Sequence, residues 1–470
     1  FSSSQVIPVN TYNVTNSPAP AFTGFNQDVR SLPLITPPAS LTFPLAQGAG
    51  PGGNGGDIET SLDSNLRSPR EYTWNLTTER QLPGGLLFQA SYIGRLGHNL
   101  LLQRDVSQPN DLFDPKSGMD WYTAATVLEK IRQTRPPTTT AVPTMAYFDN
   151  IFPANLRDIM TSFEGRNIPA AQFDLELGLG QSLFFHPQNA SLAAWSTTGN
   201  SIYHGASFSL RQRVHALQWD FNYTMSHSLD DASGLQNSTA FGGGSFIRNA
   251  IRQHDNYANS DFDLRHVVNL NAIYELPVGR GKLLAGGAGR ALDAVIGGWQ
   301  LSGIFRWNTG LPLSAPIDDA RWATNFQVQS WTSLTRSLGT CVTKGNATTA
   351  PKLFGCDPTF AYQSFRNAYP GETGMRNIFR LPGQTNLDAG LSKSFNLPWS
   401  EKQKLQLRWE VFNVANSQPL GVLDNSRSGF GIASDPLVRN LQPAKNFSNF
   451  TAIQATAAPR SMQVGLRYSF

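Results

Sequence analysis

Charge is scarce in this chain. Asp, Glu, Lys and Arg make up 15% of 470 residues, against roughly 25% in an average soluble protein. Long apolar runs are missing too: the mean hydropathy is −0.29, and no window approaches the roughly 20 apolar residues of a membrane helix. The net charge is only +4, and Lys and Arg form no polybasic run, which argues against a nucleic-acid partner. None of the seven histidines sits in HExxH or another zinc spacing. No G-x-S-x-G elbow occurs, and "GRGKLLAGGAG" (279–289) fits neither phosphate-loop pattern. The expectation is a protein with no catalytic residue, no metal site and no cofactor.

What is present is alternation. Nine segments place apolar residues on one side and polar residues on the other at period two, the pattern of a strand between two different surroundings. "LQWDFNYTMS" is the cleanest: Leu217, Trp219, Phe221, Tyr223 and Met225 oppose Gln218, Asp220, Asn222, Thr224 and Ser226. The others begin near residues 71, 86, 205, 265, 298, 385, 404 and 461. Four residues break phase: Phe412 and Ile273 fall on the polar side, and Lys393 and Gln212 on the apolar side. Low charge, 11% aromatics and alternating strands without helical spans predict an all-β antiparallel transmembrane barrel.

The connections alternate as regularly as the residues. "LPGG" (82–85), "VHAL" (214–217) and "NLPWSEKQ" (396–403) are short, and 277–294 is intermediate. Residues 104–200, 228–262, 310–383 and 415–459 are long. Outer-membrane barrels have short periplasmic turns and long extracellular loops, so this reading orients the strands and places the C-terminus in the periplasm. The first strand (71–81) and the last (461–470) then point the same way, although a bacterial single-chain barrel has an even strand count. At least one further strand is expected, with residues 1–70 as an extracellular loop segment leading into barrel strands at 71–470. "QVIPVNTYNV" (5–14) is an alternative, marginal tenth strand; the simpler reading is that the chain is the C-terminal part of a larger barrel. "FSSSQVIPVN" has no signal-peptide pattern, so Phe1 reads as a processed end or an internal start. Residues 119–133 have helical spacing within the longest loop.

Cys341 and Cys356 lie close together in a Gly-, Thr- and Asn-rich loop and predict a local disulfide in an oxidising compartment. Trp219, Tyr223, Trp299, Trp307 and Trp409 sit on the apolar side, mostly at strand ends, and predict an aromatic girdle. Arg211, Arg213, Arg306, Arg408 and Glu410 fall on the polar side and are candidate lumen-facing residues; lining a polar interior is their plainer role. Asp230 with Asp231, Asp261 with Asp263, and Asp318 with Asp319 are loop carboxylate pairs. Solvated charge is the default for them, with a loop calcium ion as the alternative. Loop aromatics Trp121, Tyr122, Trp195, Trp322 and Trp331 are candidates for stacking on a ligand, with packing among the loops as the plainer reading.

"SPREYTWNLTTERQLPGGLLFQASYIGRLGHNLL", "DFDLRHVVNLNAIYELPVGRGK", "IGGWQLSGIFRWNTGLPLS" and "LQLRWEVFNVANSQPLG" together resemble the late strands of TonB-dependent outer-membrane receptors of the Oar-like type. That type carries a carboxypeptidase-regulatory-like domain, a plug and a large barrel. The resemblance covers residues 67–470. The terminal "VGLRYSF" is similar to the signal read by the barrel-assembly machinery, which implies roles for Met462, Val464, Leu466, Tyr468 and Phe470. The resemblance implies about nine strands of a roughly 22-stranded barrel, with the plug, TonB box and early strands missing. The implied function is ligand uptake or export, with the TonB complex reached through the missing plug. Its implied partners are outer-membrane lipid, an unknown extracellular ligand, and the upstream part of the same protein or another chain. The alternatives are a partial barrel assembling with other chains as a structural or surface interaction protein, and a passive pore.

Overall fold

The computed structural model describes residues 58–106, 113–134, 144–151, 191–234, 247–318, 330–345, 351–366, 368–369, 371–396, 403–418, 420–423, 431–432, 453–455 and 458–469. Nine strands form an antiparallel meander in chain order: Arg70–Leu82 (β1), Leu86–Asp105 (β2), Ser191–Val214 (β3), Leu217–Asp230 (β4), His266–Glu275 (β5), Trp299–Asn308 (β6), Gln384–Asn396 (β7), Lys404–Phe412 (β8) and Ser461–Ser469 (β9). The possible strand at 5–14 lies outside the described residues, as does Phe470. Among the described residues, the outer edges of β1 and β9 have no strand partner. No helix among them is long and apolar enough to cross a membrane.

Directly opposed residues of an antiparallel pair share a face, so register shows whether nine separate alternations make one surface. They do. A single row, Leu82–Leu86–Gln212–Trp219–Ala272–Gly303–Ala389–Val411–Met462, crosses all nine strands in unbroken pairing. Its flanking rows on the same face are apolar as well, among them Leu217–Tyr274–Leu301–Leu391–Trp409–Val464. The row climbs from the last residue of β1, at a short turn, to the second residue of β9, below a long loop. That stagger is the strand tilt a sheet needs in order to curl toward a barrel.

The apolar face is uncovered by protein. Leu76 is 73% exposed, Val464 72% and Trp409 46%. A contiguous apolar surface over nine strands is far larger than the few hundred Å² a water-soluble monomer leaves bare. Lipid is the surrounding that satisfies it.

At one end the turns are minimal. Pro83–Gly85 joins β1 to β2 with Gly84 and Gly85 at φ 76° and 73°, where a side chain would be strained. His215 and Ala216 join β3 to β4. A longer link joins β5 to β6 and carries the helix Arg290–Ile296. At the other end the strands outrun a membrane: β2 has 20 residues and β3 24, against the roughly 9–11 of a spanning strand. Here the structure corrects the expected loop 104–200. The ladder continues to Asp105 and resumes at Ser191; Ala193, Ala194 and Ser196 are buried whichever face they take, so period two no longer marks the strand. The strand Ile58–Leu62 adds to β3 here in parallel, so part of the expected 1–70 loop is sheet.

The long connections fold into a cap with its own apolar core. The helical spacing near residue 119 becomes the helix Trp121–Thr134, and a second helix, Ala146–Ile151, packs beside it. Trp121, Tyr147 and Phe148 meet edge to face or tilted, with Trp121 and Phe148 centroids 5.9 Å apart. In the β6–β7 connection, Leu353, Phe354, Tyr362, Phe365 and Phe379 form a second core. The Cys341–Cys356 disulfide closes a loop over it, with Cα atoms 5.8 Å apart. Gly374, at φ 80°, lets the chain cross against the Trp331 carbonyl, where a Cβ would stand 1.8 Å from oxygen.

Closing a 15-residue loop stabilises by about 3 kcal/mol in the chain-entropy model. Reduction is therefore expected to speed amide exchange around residues 341–356 about 100-fold. Exchange in β6–β8 should stay unchanged, as hydrogen-exchange mass spectrometry would read.

Candidate functional site: a groove on the polar face

The phase-breaking residues show how the sheet ends are built. Gln212, on the apolar face, donates from Nε2 to the Gly84 carbonyl at 3.0 Å and accepts from Trp219 Nε1 at 3.2 Å, tying two turns together. Lys393 donates from Nζ to the Val295 carbonyl at 3.1 Å and to the Gly297 carbonyl, capping the helix Arg290–Ile296 at its negative end. Both polar residues serve the short-turn end.

Ile273 and Phe412, the phase-breaking apolar residues on the polar face, line a hollow. Together with Ile304 they floor a depression of about 430 Å³ over β5–β8, and Gly390, between Ser302 and Glu410 on the same face, adds no side chain to fill it. Asn271, Asp388 and Glu410 edge it. A second depression of about 410 Å³ continues to the long-loop end, lined by Arg306, Asn308, Gln384, Asn386 and Ser417 among others. Asp388 and Phe412 belong to both, so the two form one groove. Asp388 Oδ1 accepts from the Asn413 backbone N–H at 2.8 Å, where Asn413 turns the chain at φ 54°. That turn fixes the end of β8 beside Phe412.

Register places all five lumen-facing candidates, Arg211, Arg213, Arg306, Arg408 and Glu410, on this polar face. Arg211 pairs across the ladder with Asp220 at 2.8 Å, while Glu410 contacts Arg408 at 4.0 Å and accepts from Gln463 Nε2. Only Arg306 and Glu410 of the five line the groove. Trp219, Tyr223, Trp299, Trp307 and Trp409 all stand on the apolar face, as do Met462, Val464, Leu466 and Tyr468. Trp219 and Trp299 lie near the short-turn end and Trp307 near the long-loop end, but Tyr223 and Trp409 are mid-strand.

Toward the loops, Tyr223 of the predicted girdle joins Tyr92 and two histidines that the aromatic pattern did not single out. Tyr92 hydroxyl meets His204 Nδ1 at 2.7 Å, and Tyr223 hydroxyl meets His266 Nδ1 at 2.9 Å, each ring pair stacked. His204 lies ten residues from Val214 at its turn, His227 ten from Leu217, and His266 nine from Glu275. Those distances equal one membrane crossing of roughly 9–11 residues. Rings with one polar edge suit that boundary.

Three of the loop aspartates are not solvated, contrary to the default expectation, while Asp261 stays exposed. Asp230, Asp231 and Asp263 are buried. Arg376 donates to Asp230 Oδ1 at 2.8 Å, to the Asp230 and Asn256 carbonyls, to Ser233, and to Asp261 at 3.2 Å. Arg380 pairs with Asp263 and donates to the Gly310 carbonyl. Guanidinium groups thus hold Asp230, Asp261 and Asp263, Asp231 accepts from Asn200 and Gln253, and no cluster of metal-ligating side chains occurs among the described residues. Asp319 lies outside those residues. The loop aromatics Trp121 and Tyr122 are buried, and Trp331 lies under the Arg248 guanidinium at 4.0 Å. Trp195 is partly buried, and Trp322 lies outside the described residues. Burial and nearby Arg376 bring the Arg248 pKa down to about 10, so it keeps its charge at neutral pH.

Where the cap joins the sheet, Asp63 Oδ1 accepts from the Asn65 backbone N–H at 3.0 Å, and Oδ2 accepts from Arg104 at 2.7 Å and Ser196 at 2.9 Å. These bonds, that from Asn65 first, hold its carboxyl at about 2, below the ordinary 3.8. The folded-state value is depressed, so the stabilisation is complete above pH about 4 and lost as pH falls through about 2. Amide protection over residues 58–63 and 191–196 is expected to fall in that window, and Asp63→Asn to remove the step.

Known proteins with similar structures include the outer membrane transporter YddB from Escherichia coli. It has 8% identity and a TM-score of 0.39, with 88% of this chain aligned to 34% of that one. Another is FpvAI in its complex with pyocin S2, with 9% identity and a TM-score of 0.30, covering 86% of this chain and 26% of that one. The chain thus spans about a third or less of their length. No curated protein matches it. The model of the outer membrane beta barrel domain matches residues 1–463, and this chain belongs to that family.

Proposed function

We propose that this chain is barrel sequence from an outer-membrane receptor-transporter of the TonB-dependent, Oar-like type. Long loops outside capture a ligand, and the polar face inside lines its route. The observation that carries this reading is the groove running from the structured cap down the polar face past Arg306, Asp388, Phe412 and Glu410. Its lining offers hydrogen-bonding groups and an apolar floor but no nucleophile–base pair, which suits binding and passage rather than chemistry. A plug and a TonB box in the preceding part of the gene belong to the same proposal. The full-length protein is expected to co-purify with the TonB periplasmic domain and to lose it when the box is deleted. No association in either case would refute TonB dependence.

Among the described residues the outer edges of β1 and β9 have no strand partner, which favours a second reading, in which the strands pair with another polypeptide. An open edge in hydrocarbon is excluded because its N–H and C=O groups would go unsatisfied. Native mass spectrometry of the protein extracted from membranes separates the two: one longer polypeptide supports the receptor, and two different chains support the assembly. Bilayer conductance without an energy source would point to a passive pore.

A further inference from the structure

The link between β5 and β6, residues 276–298, is more than a turn. Its first half is a tight loop: Leu284 donates to the Pro277 carbonyl at 2.8 Å, Gly279 to the Leu284 carbonyl at 2.9 Å, and Gly281 to the Gly286 carbonyl at 3.0 Å. Its second half is the helix Arg290–Ile296. Asp293 Oδ1 joins the halves by accepting from the Arg280 backbone N–H at 2.6 Å. Such a folded unit ought to bury its aliphatic side chains. Instead Leu283 is 86% exposed, Val295 66%, Leu284 56% and Leu292 54%.

The position of the helix explains them. Trp299 Nε1 donates to the Val295 carbonyl at 3.0 Å, and Lys393 Nζ reaches the same carbonyl and that of Gly297. Trp299 and Lys393 are opposed in the ladder and stand on the apolar face. The end of the helix is therefore fastened to the membrane-facing side of the sheet, at the short-turn end. Arg280, Lys282 and Arg290 are exposed around it, and the link's only acidic residue, Asp293, is engaged internally.

We propose that residues 277–298 form an interfacial foot. Leu283, Leu284, Leu292 and Val295 enter the acyl boundary of the leaflet at the turn side, and Arg280, Lys282 and Arg290 meet anionic phospholipid headgroups. Exposed leucines beside cations, continuous with a lipid-facing sheet, are what an interface-seeking element requires. The same chemistry explains why "GRGKLL" has the look of a phosphate loop without its pattern: its cations address lipid phosphates.

The test uses the full chain in vesicles of phosphatidylethanolamine and phosphatidylglycerol. A bimane label is placed at Leu283→Cys or Leu292→Cys, with Leu391→Cys as a mid-membrane control. Labels at 283 and 292 are expected to be quenched by shallow spin-labelled lipid about twofold or more over aqueous iodide. Replacing Arg280, Lys282 and Arg290 together by Gln should remove the dependence of that quenching on phosphatidylglycerol. Quenching by iodide alone would overturn the proposal. So would protection from both quenchers, which would mean a protein partner. Failure of the Leu391 control would instead overturn the lipid-facing assignment of the sheet, on which the foot rests.

Discussion

Arg376→Met is expected to open the loop cap without disturbing the barrel strands. The Arg376 guanidinium and Asp230 carboxylate are each 6% exposed, and the same guanidinium contacts Ser233, Asp261 and the carbonyls of Asp230 and Asn256. Truncation leaves the Asp230 carboxylate buried and uncompensated, which costs about 3–5 kcal/mol. That corresponds to at least about 100-fold faster exchange of amides in 228–233, 256–263 and 371–381. Adding Asp230→Asn should restore part of the protection, because the orphaned charge is gone. Unchanged exchange in the single variant would mean that the latch does not hold the β4–β5 connection to the β6–β7 connection.

The second large effect separates the two faces of one strand. Leu391 stands between Leu301 and Trp409 on the apolar face, and Ser392 beside it stands between Gln300 and Arg408 on the polar face. Arginine on the lipid face near the bilayer midplane costs about 2–4 kcal/mol, whereas lumen-facing substitutions are tolerated. Leu391→Arg is therefore expected to lower unfolding free energy in vesicles by that amount, and Ser392→Arg by less than about 0.5 kcal/mol. Denaturant titration of the two variants measures the difference. Equal losses would remove the distinction between the faces.

Much of this sheet was legible because a membrane imposes period two on every crossing. Nine alternating segments became nine strands, and their phases agreed across every ladder. The signal ended where the membrane ends. Ala193, Ala194 and Ser196 pair in β3 yet alternate in nothing, because residues of both faces are buried there. The cap depends on contacts distant in sequence: Arg376 lies 146 residues from Asp230, and no local pattern links them. Carboxylate pairs alone fit solvent, calcium or arginine equally, and only the fold distinguishes them. The groove was half visible, since Ile273 and Phe412 stood out as phase errors. What makes them a floor is the missing side chain at Gly390, which register sets in one row with Ile273, Ser302 and Glu410.

The central claim is that one face of this sheet meets lipid and the other meets water. Its most direct test is a cysteine scan along β7 from Thr385 to Phe395 in outer-membrane vesicles, read with a water-soluble thiol reagent. The background is low, because the chain's two cysteines are joined in a disulfide. Positions 386, 388, 390, 392 and 394 are predicted to react and 387, 389 and 391 to be protected, a strict period of two. Uniform reactivity along the strand, or protection of the opposite set, would contradict the account.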